Sequence, residues 1–433
     1  DYPTERLMWM IKQAEPVVMV TDRPVLPSGL DIKFIHPDKS SVVLDEAIEQ
    51  GSQHLAAGDW RLAIRQMIDE TLDQIGDREA YLIFTSGSTG TPNGVRVGQK
   101  AISRFISEAV IRYGFTSDDV VLHFSNPTFD AALEEILCSL FVGAKLVVRP
   151  SSLPEPLTLM RFVGANRVTV LDLPTAFWRL WVNSIWFNAE NFPTSIRLVI
   201  LGGEAVLAND LQLWRSQAPS FVSLVNSYGP TETTVVVMTT ELKEEVKPYS
   251  LILLGEALPG TEAWIMNKRG EAVPNQVPGE LWITGEQLAL GYLNQPEKER
   301  TVFTSLKGVC SCEDADSEEI SFDGGNRLSL EINGKRHKKG GVGTTKRVYK
   351  TGDKVVRTYD GRVLYLGRLD HQLKIRGFRV DPLEVARIML LYPGVEQAVA
   401  GAITQGAVGK SLAAWYISDR DGVDSESLKV WLQ

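Results

Sequence analysis

The stretch YLIFTSGSTGTPNGV, residues 81–95, joins an apolar run to a loop of glycines and hydroxyl side chains. The apolar run predicts a buried strand. In the loop, glycines let the backbone approach a ligand closely, and backbone amides with the hydroxyls of Thr85, Ser86, Ser88 and Thr89 can surround phosphate oxygens. The Lys-Ser or Lys-Thr pair of a nucleotide P-loop is missing. Taken alone, such a loop is more often a linker or a turn, so a phosphate site needs support from other motifs.

The rest of the chain predicts an α/β protein. Short β-branched apolar runs such as DVVLHFS, VTVLDLP and IRLVILGG alternate with amphipathic stretches, and helices are predicted over residues 157–166 and 210–217. This alternation favours layers of helices on a substantially parallel sheet. Residues 235–304, with shorter strands between Gly and Pro, predict a β-rich subdomain. A final small unit with a helix and strands is predicted after LGRLDHQLKIRG, residues 366–377, with the helix over residues 382–391.

Residues 305–346 differ in composition from the rest of the chain. Acids in CEDADSEE are followed by bases in GKRHKKGG, and large apolar side chains are few. Such a segment cannot offset its ordering entropy by burial, so a disordered surface insertion is predicted. A docking or regulatory loop is the alternative.

Composition limits the class of protein. The chain has 433 residues, 44% hydrophobic and 23% charged, which is enough for two or three folding units. A net charge of −9 argues against a general nucleic-acid binder. Three cysteines cannot form an extensive disulfide framework, which favours a reducing, cytoplasmic location. No apolar run approaches the roughly twenty residues of a membrane span.

Two further motifs contain residue types that suit a magnesium nucleotide. In NSYGPTETT, residues 226–234, Tyr228 offers a flat face for stacking, Thr231 a hydroxyl and Glu232 an oxygen ligand for Mg²⁺. In residues 349–385, Asp353 could accept hydrogen bonds from both ribose hydroxyls, and Arg368 adds positive charge. An isolated Glu or Arg in a turn is usually just solvated, so the argument depends on the motifs occurring together.

These three stretches, in this order and with GELWITGEQLALGYLNQPEKERTVF between the second and third, resemble the adenylate-forming superfamily. The resemblance is specifically to the adenylation domains of nonribosomal peptide synthetases, and it runs from Asp1 to about Gln433. It implies a core over residues 1–369 that lacks its first part, a C-terminal subdomain over residues 370–433 that lacks its end, and a hinge at Asp370. It also implies ATP and Mg²⁺ as cofactors.

The resemblance implies a role for each matching residue. Thr85, Thr231, Glu232 and Arg368 are the implied catalytic residues, with Glu232 as the metal ligand. The implied ATP-binding residues are Thr85, Ser86, Gly87, Ser88, Thr89, Gly90, Gly203, Glu204, Ser227, Tyr228, Gly229, Thr231, Asp353 and Arg368.

Two departures from the family's pattern concern lysines. Where the family usually has Thr-Gly-Lys-Pro-Lys-Gly, this chain has Thr91, Pro92, Asn93 and Gly94 after Gly90, which predicts weaker pyrophosphate contacts. The sequence also ends before the segment in which the family carries its catalytic lysine. We therefore expect this piece alone to adenylate poorly.

The substrate is predicted from the pocket positions that the resemblance assigns. These are Asp130, Ala131, Glu134, Asp172, Ile200, Gly202, Ser227, Val235 and Val236. Asp130 would bind an α-ammonium group, and Glu134 and Asp172 would be costly to bury without a cation. A basic amino acid is therefore predicted: lysine, ornithine, β-lysine or arginine. The alternative places Glu134 on a helix surface and makes Asp172 a helix cap.

The implied reaction is activation of this amino acid as an aminoacyl-adenylate with release of pyrophosphate. Transfer to the phosphopantetheine thiol of a carrier protein would follow, and a small helper protein is a further candidate partner. An acyl- or aryl-CoA ligase and a degenerate, non-catalytic domain are the alternatives. Asp130 argues against the ligase, because an acid without an amino group has no ammonium to pair. Glu135, His123 and Cys138 are predicted to be structural.

Overall fold

The computed structural model describes a large part of the chain. The described residues are 9–10, 12–14, 18–20, 33–35, 78–86, 92–150, 155–184, 187–188, 190–243, 253–307, 330–332, 335–337, 345–370, 372–375, 378–405, 409–418 and 424–432. Two compact units are present, residues 1–73 with Gln433 and residues 74–432. The first contains a parallel pair of short strands, β1 (Val18–Val20) and β2 (Lys33–Ile35).

The second unit contains the other described strands. They are β3 (Glu79–Thr85), β4 (Asn93–Gly98), β5 (Val120–His123), β6 (Lys145–Val148), β7 (Val170–Pro174), β8 (Leu198–Gly202), β9 (Ser223–Tyr228), β10 (Met238–Glu241), β11 (Leu253–Ala257), β12 (Thr261–Met266), β13 (Gly279–Gly285), β14 (Gly291–Tyr292), β15 (Phe303–Lys307), β16 (Leu330–Ile332), β17 (Lys335–His337), β18 (Thr345–Arg357), β19 (Val363–Arg368), β20 (Leu373–Ile375), β21 (Phe378–Val380), β22 (Val395–Gln405) and β23 (Gly409–Ser418).

Eight α-helices are described in the second unit, seven of them between strands and the last after β23. They are α1 (Gln99–Tyr113), α2 (Ala131–Val142), α3 (Pro156–Ala165), α4 (Thr175–Val182), α5 (Ala208–Gln217), α6 (Pro296–Val302), α7 (Pro382–Met389) and α8 (Ser425–Leu432). The helices predicted over residues 157–166, 210–217 and 382–391 correspond to α3, α5 and α7. None of the helices in the described part of the chain is both long and apolar enough to cross a membrane.

The main sheet joins twelve of the described strands in the order β12-β13-β18-β19-β11-β10-β9-β8-β7-β5-β6, with β15 paired to β18. The strands from β6 to β9 pair in parallel, and helices connect them in sequence. From β9 through β10 to β11 the pairing becomes antiparallel. The predicted α/β class is therefore confirmed. Most described strands of residues 235–304 continue the main sheet, because β10 pairs with both β9 and β11, whereas β14 pairs with β4 in a separate sheet of three strands.

An aromatic cluster supports the parallel half of the sheet. Trp181 and Trp214 lie with ring centroids 5.7 Å apart, and Phe187 stacks on Trp214 at 5.7 Å. Both tryptophans are buried, on α4 and α5, against the strands β7 and β8. Burial of such large rings contributes much of a core's apolar stabilisation. The cluster therefore packs α4 and α5 on the parallel half of the sheet.

Two glycines end the helices that border the site. Gly114 follows α1 with φ of 63°, and Gly143 follows α2 with φ of 73°. Both adopt the left-handed conformation that satisfies the last helical carbonyls, which glycine reaches without a Cβ penalty. These stops place Tyr113 at the last position of α1.

Strand pairing continues into both ends of the segment predicted to be an insertion. Strands β15 and β18 pair out to Lys307 and Thr345, and β16 with β17 forms a short antiparallel pair. The structure therefore describes ordered strands at residues 305–307, 330–332, 335–337 and 345–346, and the remainder of residues 305–346 lies outside the described residues. The predicted boundary at residue 370 stays a prediction.

Candidate functional site

The predicted pocket residues of the sheet lie on three adjacent parallel strands. Asp172 and Ile200 are the middle residues of β7 and β8, and Gly202 and Ser227 lie at or next to the carboxyl ends of β8 and β9. Asp172 on β7 is in register with Ile200 on β8, and Leu201 is in register with Asn226 on β9. Ser227 Oγ donates to the Leu201 carbonyl at 3.0 Å. A Cβ atom at Gly202 would lie 3.0 Å from Ser227 Oγ, so the lack of a side chain at Gly202 keeps this wall of the pocket open.

Glu134 and Asp172 are buried, with relative exposures of 2% and 8%. Glu134 Oε1, Asp172 Oδ2 and the Tyr113 hydroxyl have no hydrogen-bond partner in the part of the chain that the structure describes. Helix α4 begins after Pro174 without a side-chain cap, so Asp172 does not cap it. Glu134 is buried, so it does not lie on a helix surface, and Asp172 does not cap α4. Neither acid therefore has the role that the alternative gave it.

The environment of the two acids favours their neutral forms. The pKa of Glu134 is raised to about 8, first by burial and then by the charges of Glu135 and Asp130. Tyr113 and Asp172 lie close enough to oppose this shift, although the approach falls short of a normal hydrogen bond. Burial, followed by the charge of Glu134, holds the pKa of Asp172 well above its usual range. A cation placed between the acids would reverse both shifts.

Asp130 occupies the position before α2, where its side chain does not cap the helix. It is four residues before Glu134, which places the two acids one helical turn apart on a common face. Tyr81 on β3 lies nearby, since its pKa is raised by burial and then by the charge of Asp130. The structure thus brings Asp130, Glu134 and Asp172 into one acidic region.

Glu135 and His123 form a separate structural pair. Glu135 Oε2 lies 2.6 Å from His123 Nδ1, and its carboxylate accepts from the amides of Phe124 and Ser125 at 3.1 and 3.0 Å. These contacts satisfy a buried charge and fix the end of β5 against α2. They match the structural roles predicted for both residues.

Asp353, the residue implied to hold the ribose, lies in a connected polar network with Tyr228, Arg368 and the implied hinge residue Asp370. The Tyr228 hydroxyl donates to Asp353 Oδ2 at 2.5 Å, and Arg368 Nη1 donates to Asp353 Oδ1 at 3.1 Å. Arg368 also reaches Asp370 through two bonds of 2.7 and 2.5 Å. Register pairs Asp353 on β18 with Arg368 on β19. The sequence predicted these four residues individually, and the structure shows them in contact.

The predicted metal ligand is buried. Glu232 is 0% exposed, and Tyr292 donates its hydroxyl proton to Glu232 Oε1 at 2.7 Å. Within the described residues, no group of three or more His, Cys, Asp or Glu is arranged to hold a metal ion. Mg²⁺ in nucleotide sites commonly uses one or two carboxylates with substrate phosphates, and a single carboxylate such as Glu232 fits that pattern.

The turn that contains Gly203 and Glu204, both implied to bind ATP, is held by Thr175 and Arg179, which the sequence did not indicate. Gly203 adopts φ of 87°. Thr175 Oγ1 lies 3.0 Å from the Gly202 carbonyl and 3.1 Å from the Glu204 carbonyl. Arg179 lies 3.8 Å from Glu204 and is itself held by Asp210 at 2.9 Å. Thr175 and Arg179 are distant from this turn in the sequence, so no local pattern indicates their role. Their contacts depend on the packing of α4 under β8.

The hydroxyl-rich loop is described only at its edges. Thr85 and Ser86 precede it and Asn93 follows it, with Thr85 and Asn93 in register, whereas Gly87, Ser88, Thr89 and Gly90 lie outside the described residues. Asn93 donates to the Ser86 carbonyl at 3.3 Å and accepts from Lys298 Nζ at 2.8 Å. A lysine from α6 therefore contacts the base of the loop, although the loop itself lacks lysine.

Comparison with known proteins agrees with this arrangement. A family model described as AMP-binding enzyme matches residues 1–293. The isonitrile lipopeptide synthase of Streptomyces coeruleorubidus is 34% identical over 336 residues, covering 77% of this chain and 20% of that protein. The dimodular nonribosomal peptide synthase of Bacillus subtilis (strain 168) is 30% identical over 434 residues, covering 99% of this chain and 16% of that protein. The chain thus spans a fifth or less of either relative.

A solved structure supports the same fold. The Vibrio cholerae adenylation domain AlmE, in complex with glycyl-adenosine-5'-phosphate, superposes with a TM-score of 0.74. The identity is 23%, and the match covers 99% of this chain and 75% of that chain. The match of the family model to more than half of the sequence and the shared fold lead to one assignment: this chain belongs to the AMP-binding enzyme family, as an adenylation domain similar to those of nonribosomal peptide synthetases.

Proposed function

We propose that the chain activates an amino acid with ATP and then passes it to the phosphopantetheine thiol of a carrier protein. In the first step a substrate carboxylate oxygen bonds to the α-phosphorus, and the bond from that phosphorus to the bridging oxygen of pyrophosphate breaks. In the second, the thiol sulfur takes the acyl group and AMP leaves. Family membership and the aminoacyl-adenylate carried by AlmE, a structural neighbour, support the proposal.

The nucleotide side of the proposal rests on the network around Asp353. Asp353 would accept the ribose hydroxyls, and its carboxylate is already oriented by Tyr228 and Arg368. Gly203, Glu204 and Tyr228 would border adenine, with Ser227 and Gly229 beside them. Thr231 would contact the α-phosphate, and Thr85 through Gly90 would hold the leaving phosphates. Glu232 would hold Mg²⁺, which neutralises phosphate charge during such transfers.

The observation that carries the substrate proposal is the burial of Glu134 and Asp172 without hydrogen bonds to Glu134 Oε1 or Asp172 Oδ2 from the described residues. Two such carboxyls are costly unless a cation joins them. We infer a basic amino acid, namely lysine, ornithine, β-lysine or arginine. Asp130 would take the α-ammonium and the two buried acids the distal cation. Ala131, Ile200, Gly202, Ser227, Val235 and Val236 would line the space between them.

Domain movement and partners complete the proposal. Residues 1–369 would form the core and residues 370–433 the C-terminal subdomain, with rotation at Asp370 between the half-reactions. Rotation there would alter the two bonds between Arg368 and Asp370. The carrier protein is the expected partner, a small helper protein a further one, and the cytoplasm the expected location.

The test is amino-acid-dependent pyrophosphate exchange by the full-length protein, across the twenty common amino acids with ornithine and β-lysine added. We expect turnover with basic substrates only, lost in Glu134→Gln and Asp172→Asn. Glu79→Gln, whose side chain is 49% exposed, is the matched control and should behave as the wild type. Exchange with neutral or acidic amino acids would overturn the substrate proposal alone. An absence of exchange with every amino acid tested would overturn the proposal that the protein adenylates an amino acid.

A further inference from the structure

The backbone beyond Glu232 contains a turn with unusual geometry. Thr234 has φ of 60° and Val235 has φ of 63°, and the Val236 amide donates to the Thr234 carbonyl at 2.9 Å. A bond between residues two apart around a positive φ defines the γ-turn that is rare and strained. A β-branched residue such as valine seldom adopts this conformation. Surrounding contacts must therefore hold Val235 in place.

The turn closes against the segment predicted to bind ATP. A Cβ atom at Gly229 would lie 2.2 Å from the Val235 carbonyl oxygen and 2.7 Å from Val236 Cα. The Val237 amide donates to the Tyr228 carbonyl at 2.9 Å. The conformation of Val235 thus sets both the lining of the amino-acid pocket and the space beside Gly229.

Gln287 makes the contacts that surround this turn. Its side chain is 1% exposed, and Nε2 donates to the Val236 carbonyl at 2.8 Å and to the Thr234 carbonyl at 3.4 Å. Oε1 accepts from Thr261 at 3.2 Å, which fixes the orientation of the amide. The Gln287 backbone carbonyl accepts from Thr234 Oγ1 at 2.6 Å. One residue therefore binds the carbonyls on both sides of Val235.

We infer that Gln287 is a positioning residue that holds Val235 at positive φ, so that Val235 and Val236 keep their places in the amino-acid pocket. Without the amide of Gln287, the buried carbonyls of Thr234 and Val236 would each lose a hydrogen bond. The turn would then relax toward negative φ at Val235. Glutamate has the same shape but cannot donate from its carboxylate, so it cannot replace glutamine. The kinetic test of this inference rests on the proposed function, whereas the hydrogen bonds and the φ of Val235 do not depend on it.

The test compares Gln287→Met, which keeps the side-chain volume, with Gln287→Glu, Val235→Gly and the double variant Gln287→Met with Val235→Gly. Pyrophosphate exchange gives KM for the amino acid and for ATP. We expect Gln287→Met and Gln287→Glu to lower kcat/KM for the amino acid about tenfold, with KM for ATP changed less than about threefold. Glycine adopts positive φ freely, so the double variant should match Val235→Gly within about threefold.

A purely structural role would give a different pattern. Ile265→Ala, a buried change on β12 outside the turn, serves as a control for lost stability and should lower Tm without raising KM for the amino acid. The inference is overturned if Gln287→Met behaves as wild type. It is equally overturned if the double variant falls more than about threefold below Val235→Gly, or if Gln287→Met lowers Tm without changing kcat/KM for the amino acid.

A second readout separates this inference from the proposed function. Amide hydrogen exchange over residues 229–240 should be faster in Gln287→Met than in the wild type. In the double variant it should match the rate of Val235→Gly. That pattern would support the inference even if no amino acid supports pyrophosphate exchange. Unchanged hydrogen exchange in Gln287→Met would overturn it whatever the activity.

Discussion

The hydroxyl of Tyr228 lies 2.5 Å from Oδ2 of Asp353, so the last residue of parallel strand β9 is bonded to antiparallel strand β18 of the same sheet. Register then pairs Asp353 with Arg368 on β19. The carboxylate proposed to bind ribose is therefore oriented from two sides before any nucleotide arrives. Such preorganisation reduces the ordering cost of binding.

Removing the Tyr228 hydroxyl should weaken ATP binding. A hydrogen bond to a charged group contributes about 1.5–3 kcal/mol, and Arg368 would still orient Asp353, so we expect Tyr228→Phe to raise KM for ATP about fivefold. KM for the amino acid should change little. Pyrophosphate exchange at varied ATP measures both, and Tyr359→Phe, at an 87% exposed position, is the control. An unchanged KM for ATP would show that the hydroxyl does not orient Asp353.

Amino-acid binding should depend on pH through Glu134. Its pKa is raised to about 8 by burial, so the carboxyl is mainly neutral at pH 7. A substrate ammonium needs the ionised form, and binding must release this proton. We therefore expect KM for a basic amino acid to fall about tenfold between pH 6.5 and 8. Steady-state kinetics of the wild type across this range test it, and a KM that does not change with pH would contradict it.

Glu134 should also reduce stability in the absence of substrate. The folded pKa of about 8 exceeds the ordinary value of 4.5, so the folded state binds the extra proton and stability falls as pH rises between these values. Glu134→Gln has no such proton to lose. Its advantage over wild type should grow by about 2 kcal/mol from pH 6 to pH 8. Chemical unfolding at both values measures it, and a constant difference would mean that Glu134 has an ordinary pKa.

Lys298 should assist phosphate binding. Its ammonium contacts Asn93 at 2.8 Å, at the base of a loop that has no lysine of its own. We expect Lys298→Met to raise KM for pyrophosphate and ATP about threefold, because a partly exposed charge contributes modestly. KM for the amino acid should stay constant. Exchange kinetics at two salt concentrations test this, with the exposed Lys268→Met as control. Equal effects of both variants would assign the change to net charge.

The α/β class and several helix positions could be predicted from the sequence. Asp172, Ile200 and Ser227 lie in the runs that form the adjacent strands β7, β8 and β9, and the alternation of such runs with helices predicts parallel neighbours. The burial of Glu134 was one of two alternatives that the sequence left open, and the structure shows it. Local patterns and motif positions of this kind can be seen in one chain.

Contacts between distant segments could not be predicted in the same way. Gln287 is more than fifty positions from Val235, and Lys298 is about two hundred from Asn93. Nothing in the local pattern distinguishes Gln287 from any other polar residue near a turn. Its role depends on the positive φ of Val235, which sequence alone does not indicate for valine.

Cys138 lies one helical turn beyond Glu134 on α2 and is fully buried. Its pKa is raised well above normal, first by burial and then by the charges of Glu134 and Asp172. The thiol therefore reacts slowly with alkylating reagents while the helix is packed. In a protein with Cys310 and Cys312 replaced by serine, the maleimide labelling rate of Cys138 would report how often α2 opens beside Glu134. Protection by the correct amino acid would identify that substrate without measuring turnover.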